Sequence, residues 1–101
     1  MSMYSANTIT ATINAAAQEA SRRWWASALA RYTSRRREDL GLTVTAAAAL
    51  AGLELSEWCA LEDGWVPEDL ATLRSIAATL RVRWTDYHGL AFLAGLQQRY
   101  R

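Results

Sequence analysis

The sequence predicts an all-α fold, and three observations predict it. Of the 101 residues 51% are hydrophobic, Gly totals five and Pro67 is the only proline, a balance that favours helices over a sheet with many tight turns. Small or apolar residues recur at helical spacing along the first third, at Ile9, Ile13, Ala17, Ala20, Trp24, Ala28 and Tyr32. Gly41, Gly52, Gly64 and Pro67 fall between periodic segments, where helices stop or start. The length suits one domain, and this apolar content with a net charge of +1 excludes a disordered chain.

Residues 1–7 read as a short disordered tail, with Asn7 or Thr8 capping the helix that follows. No Gly or Pro interrupts residues 8–40, so this segment is one long helix or two with a bend near Ser21. A long helix with a continuous apolar stripe has to fold back or meet a partner. We take 8–28 as an N-terminal helical extension and 29–101 as the domain proper. Thr43 caps a second helix over Val44–Ala51, Gly52 breaks the chain, and a third helix fits Leu55–Leu61. Asp63-Gly64 is a turn, and Pro67 stands just inside a fourth helix with Leu70, Leu73, Ile76, Ala77 and Leu80 on one face. Val82–Thr85 is a connector. Thr85 or Asp86 then caps a fifth helix from Tyr87 to Arg99, carrying Leu90, Phe92, Leu93 and Leu96.

The charges are strongly partitioned. Residues 22–37 hold six arginines and no acid, residues 38–73 hold eight acids and no base, and residues 74–101 hold five arginines and the single acid Asp86. Little supports catalysis: Cys59 is the only cysteine, His88 the only histidine, and neither has a partner at a defined spacing. No phosphate-cradling glycine loop is present. We therefore expect no enzyme, no metal site, no cofactor and no small-molecule effector. No apolar run approaches the ~18 residues of a membrane helix. The first residues lack the features of a signal peptide, and a lone cysteine makes no internal disulfide. A cytoplasmic protein without membrane contact is the expectation.

Gly41-Leu42-Thr43-Val44-Thr45-Ala46-Ala47-Ala48-Ala49-Leu50-Ala51-Gly52 resembles the second helix and turn of the lambda-repressor/Cro-like (XRE) helix-turn-helix family, G-L-T-Q-x-x-x-A-x-x-A-G. Leu53 to Gly64 resembles that family's recognition helix with its I-E-x-G end. Pro67 followed by Leu70, Leu73, Ile76, Ala77, Leu80 and Val82 resembles its fourth helix and the start of its fifth. The likeness covers residues 29–93. It implies a five-helix, repressor-like fold in which Ala48 and Ala51 sit where helices cross, and Leu50, Trp58 and Leu61 form core. It also implies a brace between Glu62 and Arg37, late in the first helix.

The resemblance implies a DNA-binding transcriptional regulator acting as a homodimer on double-stranded DNA. Thr43, Thr45, Leu55, Ser56 and Ala60 would face the groove, and arginines such as Arg22, Arg23 and Arg35 would contact phosphates. The chain departs from the pattern in places. Val44 replaces the phosphate-binding Gln, a usually apolar first-helix position falls at Arg36, and Leu55, Ser56 and Ala60 cannot make bidentate contacts to bases. Glu54 and Glu57 stand beside them, where phosphate neutralisation is needed. A second function is therefore carried alongside: a repressor-like fold serving as a protein-interaction or dimerisation module. Five tryptophans, Trp24, Trp25, Trp58, Trp65 and Trp84, exceed what one small core holds. Trp25 and Trp65 are the expected interface residues.

Overall fold

The computed structural model describes residues 5–95. Among these it contains helices α1 (Ser5–Asp39), α2 (Val44–Ala51), α3 (Leu55–Glu62), α4 (Leu70–Leu80) and α5 (Trp84–Leu93), and no strand. The fold is all-α. No single helix is long and apolar enough to cross a membrane.

Helix α1 is 35 residues long and passes Ser21 without a break. Only its C-terminal half joins the body, where Ala26, Leu29, Ala30 and Thr33 are buried. Residues 9–21 are all exposed, so the helix does not fold back, and the molecule measures 62 × 23 × 22 Å. The expected tail is corrected for Ser5–Asn7, which are helical, so Asn7 and Thr8 lie inside α1 instead of capping it. The physical reason is that nothing in this Ala- and Thr-rich stretch breaks a helix. Residues 1–4 lie outside the described residues.

The body wraps around Trp58, which is fully buried. Ala47, Ala48 and Ala51 of α2, Leu73, Ile76, Ala77 and Leu80 of α4, and Tyr87 and Ala91 of α5 complete the core with α1. Small side chains on α2 let it pack against both α3 and α4. Leu50 is corrected: it is 65% exposed, because the alanines already fill the inward face of that eight-residue helix.

Three boundaries also move. Asp69 caps α4, accepting a hydrogen bond from the Thr72 amide at 2.9 Å, so the helix starts at Leu70. Pro67 is buried in the preceding loop. Helix α5 begins at Trp84 after Arg83, with Thr85 and Asp86 inside its first turn, since Trp84 packs against the core. It ends at Leu93, followed by Gly95 at φ 113°, a backbone conformation that stops a helix. The expected continuation through Leu96 to Arg99 lies outside the described residues.

Candidate nucleic-acid interface

Helices α2 and α3 meet at 109° across the turn Gly52-Leu53-Glu54. The turn forms because Gly52 adopts φ 72°, which glycine reaches without steric cost. Its amide bonds Ala49 O at 3.2 Å and the Leu53 amide bonds Ala48 O at 2.9 Å, satisfying carbonyls left open at the end of α2. At the other end the Thr43 hydroxyl accepts from the Ala46 amide at 3.0 Å. The Glu57 carboxylate reaches back to the Glu54 amide at 2.8 Å and fixes the start of α3.

The structure leaves Thr43, Thr45, Leu55 and Ser56 exposed, at the N-terminal ends of α2 and α3. Ala60 is half-buried and lines a shallow groove with Ser56, Glu57 and Trp65. These residues offer hydroxyls, a branched apolar side chain and two helix N-termini, whose partial positive charge suits an anion. Beside them stand Glu54 and Glu57.

The six arginines of α1 divide into three groups. Arg36 and Arg37 belong to the fold. Arg37 donates from Nε to Glu62 Oε2 at 2.5 Å, from Nη2 to Oε1 at 3.0 Å, and from Nη1 to Leu42 O at 2.9 Å. Glu62 also accepts from the Ser34 hydroxyl at 2.7 Å and the Trp58 indole at 2.5 Å. Four donors saturate the carboxylate. Burial pushes the Glu62 carboxyl up, but the bonds from Arg37, Ser34 and Trp58 outweigh it and hold the group below its ordinary value. Arg36 donates to Leu80 O at 2.8 Å, placing a cation on the C-terminus of α4, where Arg81 adopts φ 55°.

Arg22 and Arg23 both turn toward Glu19. Arg22 Nε lies 3.0 Å from Glu19 Oε1 and Arg23 Nε 3.4 Å from Oε2. The Arg22 stem also runs against Gly95, where an added Cβ would meet Cδ at 2.8 Å. Arg31 and Arg35 are exposed on α1 and have no ion pair or hydrogen bond among the described residues. The sequence-expected phosphate contacts Arg22, Arg23 and Arg35 therefore do not form one cluster: Arg35 stands roughly 20 Å along α1 from the other two.

Of the two tryptophans expected at an interface, Trp25 is half-buried against the core and keeps part of its ring at the surface. Trp24 is the most exposed at 58%, edge-on to Trp25, and Trp65 is also exposed, at 37%. The i, i+3 positions Ala26 and Leu29 set the inward face of α1, which turns Trp24 outward. The Trp58–Glu62 and Ser34–Glu62 bonds were not anticipated, although Trp58 and Glu62 stand four apart on one helix face. Cys59 is exposed, and His88 lies between Trp84 and Phe92 at ring separations of 5.1 and 6.5 Å. No group of three or more His, Cys, Asp or Glu suited to a metal ion occurs among the described residues. Comparison with family models, curated proteins and solved structures finds no match for the chain.

Proposed function

We propose that the protein is a DNA-binding transcriptional regulator in which α2 and α3 act as a helix-turn-helix, with α3 entering the major groove. One observation carries this reading: two eight-residue helices at 109°, joined through Gly52 and ending in exposed Thr43, Thr45, Leu55 and Ser56. A short Gly-containing turn and a near-perpendicular helix pair are the geometry that presents a helix to a groove. Leu55 would touch a thymine methyl, while Ser56 and the threonines bond to base edges or phosphates.

Phosphate contacts would come from Arg31, Arg35 and Arg23, which the fold does not commit to buried partners. Two or three such contacts per chain give a shallow dependence on salt, a log–log slope of roughly −2 to −3. Fluorescence anisotropy with a random-sequence duplex at low salt tests this. Binding that weakens with that slope supports the proposal; no binding, or binding indifferent to salt, overturns it.

A second reading, a protein-docking module, has its own supporting observation. The exposed apolar Leu55 and Trp65 are flanked by Glu54 and Glu57, and residues 38–73 carry no base. Under this reading Leu55→Asp abolishes partner binding and duplex DNA gives no signal.

A further inference from the structure

The first half of α1 projects from the body with an uncovered apolar stripe. Ile9, Ile13 and Trp24 are 56%, 60% and 58% exposed, and Ala16, Ala17 and Ala20 lie between them, also exposed. The stripe lies on roughly the opposite side of the helix from the buried Ala26, Leu29, Ala30 and Thr33. Nothing in this segment breaks a helix, but its first turns have only modest propensity for one. Thr8, Ile9, Thr10, Thr12 and Ile13 are β-branched, and a helix of this length without packing is marginal in water. It needs a covering surface.

We infer that this surface is the same segment of a second copy, packed antiparallel. Residues 5–18 carry no charge, and Glu19 is already answered by Arg22 and Arg23 on its own helix. An acidic or basic partner would gain nothing along this stretch, whereas an uncharged seam with large residues at its two ends and alanines between them matches its own reverse. Ile13 meets Ala20 of the other copy, Ile9 meets its Trp24, and Ala16 and Ala17 fall at the crossing, where small side chains let the axes approach to about 8 Å. The pairing is two-fold symmetric and closes.

Orientation follows from charge. Arg31 and Arg35 stand about five full turns beyond Ile13 and Ala17, so they continue the same face of α1. A parallel pair would align Arg31 with Arg31 and Arg35 with Arg35. The antiparallel pair keeps the two copies' arginines at opposite ends and lets the helix dipoles oppose. The inference does not depend on DNA binding.

Sedimentation of the full chain across a concentration series, with and without Ile13→Glu, tests the association. A species of twice 11.2 kDa is expected, with its dissociation constant raised roughly a hundredfold by Ile13→Glu, since the seam is lost at two sites per dimer. Circular dichroism of the variant should retain the body's helices, because Ile13 touches nothing there. A monomer at all concentrations overturns the inference. Orientation is read in a Cys59→Ser background. Ile13→Cys and Ala20→Cys chains should form an interchain disulfide when mixed and none alone; Ile13→Cys cross-linking to itself overturns the antiparallel arrangement.

Discussion

The Thr33 and Tyr87 hydroxyls lie 2.8 Å apart inside the body and join α1 to α5. The direction of that bond is settled by a second one: Thr33 has one hydroxyl proton and gives it to Leu29 O at 2.9 Å. Tyr87 is therefore the donor. Both side chains are essentially fully buried, and the bond is one of several links that hold the C-terminal half of α1 to the body.

Burial pushes the Tyr87 phenol up to about 12. It should stay protonated through the ordinary tyrosine range, so the ultraviolet absorbance titration of the native protein should show a late component that Tyr87→Phe removes. Because the unfolded phenol ionises first, stability should fall as pH rises above about 10. Tyr87→Phe should also cost about 1–2 kcal/mol by denaturant unfolding, from leaving the Thr33 oxygen with one partner fewer.

The Arg37–Glu62 pair supplies a separate pH effect. Glu62 is held below its ordinary 4.5, so its contribution is complete above that value and is lost as pH falls through the lower, folded value. Glu62→Gln should cost about 2–3 kcal/mol at pH 7. The gap between variant and wild type should narrow below about pH 4 in urea unfolding.

Gly52 is a test of backbone alone. An added Cβ would meet nothing within 4 Å, yet φ is 72°. Gly52→Ala should therefore destabilise by about 1 kcal/mol from the left-handed conformation, and Gly52→Asn by less.

Leu50 and Leu73 separate exposure from hydrophobicity. Leu50→Ser, at 65% exposure, should change stability by no more than about 0.5 kcal/mol. Leu73→Ala, at a fully buried position, should cost about 2–5 kcal/mol.

What was legible in the sequence was local. Thr43, Gly52 and the bounds of α2 follow from capping chemistry within a few residues, and the glycine- and proline-free run to Leu40 allows one long helix. Arg37 with Glu62 was reached through resemblance, while the indole and hydroxyl completing their network required the packing of α3 on α1. Leu50 misled because α2 is so rich in alanine that its apolar face has no contrast. Trp84 shows the opposite failure: its packing starts α5 earlier than the capping residues Thr85 and Asp86 indicate. At the candidate interface, the side-chain types were readable. The fate of the arginines was not, since Arg36 and Arg37 are bound to partners 25 or more residues away.

Amide chemical-shift mapping with a short DNA duplex addresses the proposed function most directly. Duplex addition at low salt should perturb the amides of Thr43, Thr45, Leu55 and Ser56 together, with smaller changes near Arg31 and Arg35. Perturbations confined to the arginine-bearing face of α1, or none at all, would contradict it.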